Sequence, residues 1–122
     1  ERGEGILQGM KHREKVMDLI GKTSFLELTA LLGHMDLLLT LDTGTAHIAA
    51  AAGCPVVTLF TFNSPVIYRA PGKYSTGVSG HLPCSGKHIC IGPSRCPKSD
   101  CVDAVTVPMV ESAVEKLFQE TA

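Results

Sequence analysis

Short apolar runs alternate along the first half of the chain with stretches that have helical periodicity or composition. The runs at 36–41 and 56–60 are largely apolar, which is typical of strands buried on both faces of a parallel sheet. A third strand is predicted at 16–20. Helices are predicted at 25–33 and 45–52, from an apolar stripe and from an alanine-rich composition. The order β-α-β-α-β predicts an α/β fold with a parallel sheet and right-handed crossovers.

Residues at the ends of the two predicted helices support their boundaries. Ser24 and Glu27 have the spacing of a capping box, in which each side chain hydrogen-bonds the backbone N–H of the other residue. Gly53 follows the alanine-rich helix where a glycine commonly ends a helix, and Pro55 comes soon after it.

The rest of the chain is less periodic. Ile6 and Leu7 are interpreted as the end of a strand, and 9–15 as a polar connection or a short helix. Residues 61–103 hold five of the seven prolines and four of the five cysteines, which predicts a long irregular region. The segment 108–121 has apolar residues on one helical face and a proline in its first turn, which predicts a closing helix.

The length of the chain, 1–122, allows at most one small domain. Its 122 residues are 44% apolar and 19% charged, as in ordinary globular proteins. The formal net charge of -1 gives no electrostatic case for nucleic acid or for an anionic membrane. No apolar run approaches the roughly 20 residues that cross a bilayer. Because the chain starts without methionine or a signal-peptide layout, we expect a piece of a longer protein.

The junction between the strand at 36–41 and the following helix concentrates residues suited to ligand binding. Asp42, Thr43 and Gly44 lie where a parallel strand ends and a helix begins, the place at which open α/β sheets bind ligands. Free N–H groups and the helix dipole favour phosphate there, and Gly44 admits a close approach because it has no Cβ. His47 follows Thr43 by four residues, on the same helical side. The sequence predicts a site for a phosphorylated ligand.

Structural roles are the alternatives for these residues. Asp42 is a good helix cap, and His47 fits a packed histidine on the alanine-rich helix. Lys22 suits a solvated surface position, and Ser24 suits the capping role alone. The two interpretations differ in burial and in hydrogen-bond partners.

The strand–helix junction also resembles a known family. The stretch 42–53, with the pattern Asp-Thr-Gly-x-x-His-x-Ala-Ala-Ala-x-Gly, resembles the signature of glycosyltransferase family 9, the ADP-heptose:lipopolysaccharide heptosyltransferases and their relatives. The stretches 21–28 and 55–60 match that family's pattern in order and spacing. The resemblance runs from about Val16 to the end. It implies the C-terminal, donor-binding half of a two-domain GT-B glycosyltransferase, with a Rossmann-like parallel sheet and flanking helices.

The resemblance implies roles for individual residues of the junction. Thr43 and Gly44 would contact the diphosphate of an ADP-sugar donor through a hydroxyl and a backbone N–H. Asp42 would accept hydrogen bonds from the donor sugar, and His47 would lie beside the phosphate or the sugar. A protonated His47 would then stabilise charge that develops on the leaving diphosphate.

The implied enzyme also needs groups outside the junction. Lys22 and Thr23 would lie near the nucleoside of the donor. No cofactor is implied, and the lipopolysaccharide core acceptor and the catalytic base would belong to an N-terminal domain, so no catalytic residue is assigned here. The resemblance implies a cytoplasmic enzyme and leaves association with the periphery of the inner membrane open.

One turn departs from that family's pattern. The family follows its last strand with Gly-Pro-Thr-x-Pro, whereas residues 61–65 are Thr-Phe-Asn-Ser-Pro and keep Pro65 alone. A second contact to the donor phosphate is therefore not assigned. The first β-α unit is also shorter than the family's, so contacts to the adenosine ribose are not assigned either.

The irregular region contains a group of cysteines that has three interpretations. Their spacings of five, five and four intervening residues are wider than the Cys-x2-Cys pairs of zinc sites. They are compatible with one zinc ion or iron–sulfur cluster, with two disulfides in an oxidised sample, or with free thiols. His81 and His88 flank the group, and Cys54 is interpreted as a small buried hydrophobe. The four cysteines are Cys84, Cys90, Cys96 and Cys101.

Two functions of other classes stay open beside the glycosyltransferase. A non-catalytic module would use the same strand, loop and helix to bind a nucleotide or phosphate for regulation. A metal-stabilised interaction domain would depend on the cysteine-rich region. A missing N-terminal half in the native protein would favour the first, and tightly bound zinc would favour the second.

Overall fold

The computed structural model describes residues 2–80, 82, 84 and 100–122. Short parallel strands alternate with helices, and no helix among the described residues is long and apolar enough to span a membrane. The elements are α1 (Arg2–Gln8), a 3-10 helix (Arg13–Lys15), α2 (Phe25–Leu32), β1 (Leu38–Leu41), α3 (Gly44–Ala51), β2 (Val56–Phe60), α4 (Pro65–Tyr68), β3 (Ser75–Ser79), α5 (Asp100–Asp103) and α6 (Val107–Thr121).

The sheet is parallel with the strand order β1-β2-β3, which confirms the predicted Rossmann-like α/β class. Leu38 pairs with Val56, and Val56 pairs with Ser75, so the three strands begin level with one another. Helix α3 packs on β1 and β2, whereas α6 packs on β2 and β3. Because parallel strands end at one edge of the sheet, the loops after β1 and β2 are neighbours there.

The central strand β2 supplies side chains to both layers of helices. Val56 joins a buried cluster with Leu32 of α2 and Ala49 of α3, on one face of the sheet. Val57 points to the other face and joins a cluster with Leu117 of α6. This alternation is that of a strand buried on both sides, as the largely apolar sequence predicts.

The same burial was predicted for the strand at 36–41 and is wrong for β1. This strand lies at the edge of the described sheet, and two of its side chains, Leu39 and Leu41, are 47% and 59% exposed.

The capping box before α2 is confirmed. Glu27 N donates to Ser24 Oγ at 3.3 Å, and Ser24 N donates to Glu27 Oε2 at 2.7 Å. The hydrogen bond from the Ser24 backbone N–H holds the pKa of the Glu27 carboxyl below its usual value, because it favours the charged form. Gly53 follows α3 with a φ of +83°, the left-handed conformation in which glycine ends helices.

The strand predicted at 16–20 is wrong, and so is the strand end predicted at Ile6 and Leu7, which lie in α1. Residues 16–19 have no regular structure, and Asp18 Oδ1 accepts a hydrogen bond from Ile20 N at 3.0 Å. An aspartate that binds the backbone two residues on favours a turn over a strand. The apolar residues around Asp18 therefore do not extend the sheet.

The region predicted as irregular, 61–103, contains regular structure that the sequence did not indicate. It includes the short helix α4, the third strand β3 and the short helix α5. Strand β3 has the sequence Ser-Thr-Gly-Val-Ser, which lacks both an apolar run and clear alternation, and it forms because β2 and α6 pack against it. The closing helix predicted at 108–121 is confirmed as α6, with Pro108 in its first turn.

Candidate functional site

The predicted ligand junction lies at the carboxyl edge of the sheet. Strand β1 ends at Leu41, Asp42 and Thr43 form the connection, and α3 begins at Gly44. Thr43 and Gly44 are exposed, and Asp42 is half-buried. The junction is therefore open to a ligand from the solvent side, as expected for the crevice of an open α/β sheet.

The first turn of α3 is not capped by the residue at its N-cap. Thr43 has extended backbone angles, φ -144° and ψ 167°, and its side chain makes no capping hydrogen bond. Its carbonyl oxygen accepts the bond from Ala46 N at 3.1 Å, which starts the helix. The N–H groups of Gly44 and Thr45 precede this bond, so the Thr43 side chain leaves them as donors for another group. An anion is well placed to accept from them, with support from the helix dipole.

Asp42 does not cap α3. Its Oδ2 accepts a hydrogen bond from Nδ2 of Asn63, which lies in the turn after β2. The bond joins the carboxyl ends of two neighbouring parallel strands. The sequence interpretation missed Asn63. Asp42 directly follows β1 and Asn63 comes three residues after β2, at the same edge of the predicted parallel sheet, and this position was the available signal.

His47 is exposed on α3, so the alternative of a packed core histidine is wrong. The side of α3 that enters the core is formed instead by Ala46 and Ala49, which are almost fully buried. His47 lies one helical turn after Thr43, and its side chain is on the exposed side of α3 rather than in the core.

Gly44 is not in a left-handed conformation; in the described part of the chain, positive φ values belong to Gly21, Gly53 and Gly72. The backbone conformation at this position therefore does not require a glycine. A Cβ built on Gly44 would meet no atom of the described residues within 4 Å. The space beside this backbone is open, as a site for a closely approaching ligand requires.

Lys22 and Thr23 lie just before the N-cap of α2. Lys22 Nζ donates to the carbonyl oxygen of Asp18 at 2.9 Å and lies 3.5 Å from Asp18 Oδ2. The lysine is largely exposed, and Thr23 is half-buried. Lys22 is therefore engaged in its own turn, and its role and that of Thr23 beside a nucleoside stay predictions.

The proposed metal ligands are only partly described. Cys90 and Cys96 lie outside the described residues, as do His81 and His88. Cys84 is exposed, Cys101 is half-buried, and both are free thiols. Among the residues that the structure describes, no group of three or more His, Cys, Asp or Glu residues is close enough to hold a metal ion.

Cys54 has the environment predicted for it. It is 4% exposed and belongs to the cluster under α3. Burial raises the pKa of its thiol, and Sγ lies 3.4 Å from the Pro55 carbonyl oxygen. The residue therefore acts as a small packed side chain rather than as a ligand of the junction.

Residues 1–89 match the model of glycosyltransferase family 9 (heptosyltransferase). The fold is an α/β domain with a parallel sheet, as a GT-B glycosyltransferase has. The chain belongs to glycosyltransferase family 9.

Individual relatives match a shorter stretch. The lipopolysaccharide core heptosyltransferase OpsX of Haemophilus influenzae is 43% identical over 49 residues, which are 40% of this chain and 14% of that protein. Lipopolysaccharide heptosyltransferase 3 of Escherichia coli is 41% identical over 54 residues, 44% of this chain and 16% of that protein. The matched stretch is thus about one seventh of each relative's length. No solved structure matches the chain.

Proposed function

We propose that this chain is the donor-binding part of a heptosyltransferase that transfers heptose from ADP-heptose to a lipopolysaccharide core acceptor. The observation that carries the proposal is the uncapped first turn of α3, next to the carboxylate of Asp42, in a member of glycosyltransferase family 9. The relatives that match part of this chain are named as lipopolysaccharide heptosyltransferases. The acceptor and the catalytic base would be supplied by a second domain on the other side of the cleft, in the cytoplasm at the inner membrane.

Each residue of the junction has a separate task in this proposal. The backbone N–H groups of Gly44 and Thr45, with the Thr43 hydroxyl, hold the diphosphate. Asp42 accepts from hydroxyl groups of the sugar, and His47, on the exposed side of α3, lies beside the phosphate or the sugar. Charge grows on the diphosphate as the sugar leaves, so donors fixed before the reaction stabilise the transition state more than the ground state.

Ligand-observed NMR tests the proposal on the chain itself. Saturation-transfer signals are expected from ADP and from ADP-heptose, with a Kd in roughly the high-micromolar to millimolar range, because one wall of the cleft is absent. UDP is the control for recognition of the adenine base, and free heptose is the control for binding of the sugar without the nucleotide. If neither ADP nor ADP-heptose gives a saturation-transfer signal at millimolar concentration, the proposal is contradicted.

The chain alone is expected not to transfer heptose. The junction supplies binding groups for a donor, but transfer also needs an oriented acceptor and a base within hydrogen-bond reach of its hydroxyl. The measurement is release of ADP from ADP-heptose in the presence of a lipopolysaccharide core acceptor, with the full-length enzyme as the positive control. Acceptor-dependent turnover by this chain would show that the assignment to a donor-binding part is wrong.

Asp42→Asn is expected to weaken ADP-heptose binding about tenfold while ADP binding changes little, because hydrogen bonds to a charged group are stronger than those to a neutral one. The fold should hold, since the new amide oxygen can still accept from Asn63 Nδ2. Calorimetric or NMR titration with both ligands measures the split. Equal affinity of the variant and the parent chain for ADP-heptose would remove the sugar-binding role of Asp42.

A further inference from the structure

The turn after β2 contains a polar side chain, Asn63, whose contact with Asp42 has no role in the function proposed so far. Asn63 donates from Nδ2 to Asp42 Oδ2 across the carboxyl ends of β2 and β1. Both residues are half-buried, so the bond is partly shielded from water. Asn63 lies in the turn that joins β2 to α4, outside the pattern at 42–53.

The bond occupies one side of the Asp42 carboxylate and leaves the other oxygen for a ligand. An ionised carboxylate has two oxygens with about four acceptor positions, and Asn63 uses one of them. Asparagine is neutral, so it fixes the direction of the carboxylate and leaves its charge uncompensated. A side chain that is already held in place loses less conformational freedom when the ligand binds.

The Asn63 side chain also has a carbonyl oxygen, Oδ1, which is not part of its hydrogen bond to Asp42. With Nδ2 directed at Asp42, the Oδ1 atom of Asn63 is an acceptor and a second N–H remains on the amide. The residue therefore cannot replace Asp42 as the charged acceptor at the site. Its effect on a sugar ligand passes through the carboxylate that it holds.

We propose that Asn63 is a positioning residue, which holds the Asp42 carboxylate in the direction needed to accept from the donor sugar. This inference rests on the proposed function of the junction. It adds that selectivity for the sugar nucleotide over the free nucleotide depends on a residue outside the Asp-Thr-Gly-x-x-His pattern. ADP, which lacks the sugar, should not sense the loss of Asn63.

Titration of the chain with ADP and with ADP-heptose separates this role from a structural one. Asn63→Ala is expected to raise the Kd for ADP-heptose about tenfold and the Kd for ADP less than about twofold. Ser64→Ala is the matched control, because Ser64 lies in the same turn and its side chain makes no capping hydrogen bond to α4. That control should leave both affinities unchanged. Amide spectra verify that each variant keeps the fold.

A double-mutant cycle tests whether Asn63 acts through Asp42. Adding Asn63→Ala to Asp42→Asn is expected to cause less than about a twofold further loss of ADP-heptose affinity, because the carboxylate to be positioned is already gone. A full tenfold further loss of ADP-heptose affinity in the double variant would mean that Asn63 acts independently of Asp42. An equal loss of affinity for ADP and for ADP-heptose in Asn63→Ala would mean that Asn63 has a general structural role. Either result overturns the inference. If the parent chain binds neither ligand, the proposed function fails and the inference with it.

Discussion

Gly44→Val is expected to abolish measurable ADP binding without unfolding the chain. Gly44 opens α3 with a φ that other residues adopt, and a Cβ there would meet no described atom within 4 Å. The folded protein therefore has room for the side chain, and the stability should change by less than about 1 kcal/mol. The same volume lies beside the N–H groups that are proposed to hold the diphosphate. Branched methyl groups would keep the phosphate oxygens beyond hydrogen-bond distance, about 3 Å.

Thermal unfolding and ADP titration of the same sample measure the two halves of this prediction. Gly5→Val is a matched control, because Gly5 lies within a helix, α1, and a Cβ there also meets no described atom within 4 Å. It should keep ADP binding. Parent-like affinity in Gly44→Val would mean that the diphosphate does not approach this backbone.

Phe60→Ala is expected to lower the free energy of unfolding by about 3–5 kcal/mol, the range for a fully buried phenylalanine. Phe60 is 0% exposed at the end of β2. Its ring lies against β3, since a Cβ on Gly77 would come within 3.0 Å of the ring and 2.8 Å of Pro65. Loss of the ring leaves a cavity among β2, β3 and α4, directly below the turn that contains Asn63.

Urea denaturation followed by circular dichroism tests this effect. Phe118→Ala is the control, because Phe118 lies on α6 with 45% of its surface exposed. It should cost far less, since little apolar surface returns to water. A loss below about 1 kcal/mol in Phe60→Ala would contradict the packing of this end of the sheet.

The sequence predicted the strands and helices whose side chains carry an unambiguous local pattern. Strand β2 is apolar at nearly every position because it is buried on both faces, and the Ser24–Glu27 capping box is a purely local signal. Strand β3 was missed for the opposite reason. Its polar and glycine residues are placed in the sheet by pairing with β2, which is a long-range contact that no window of sequence contains.

The error at 16–20 has a local physical cause. Apolar residues on both sides of Asp18 suggested a strand, but the carboxylate binds the N–H of Ile20 and stabilises a turn. The prediction rested on the apolar residues alone and did not include this competing hydrogen bond. Met17 and Ile20 are consequently exposed.

The candidate site was predictable in part. Asp42, Thr43 and Gly44 follow a strand and open a helix, and that order is enough to place them at the carboxyl edge of the sheet. The partner of Asp42 was not predictable from the loop itself, because Asn63 is 21 positions further along the chain. That Gly44 has no positive φ could be learned only from the backbone angles of the structure.

The most direct test of the account is an amide chemical-shift titration of the isotope-labelled chain with ADP. The largest and earliest shifts are predicted at the backbone N–H groups of Thr43, Gly44 and Thr45, since these precede the first hydrogen bond of α3 and face the proposed diphosphate. Shifts centred on Cys84 and Cys101, with the three junction amides unmoved at saturation, would contradict a donor site at this strand–helix junction.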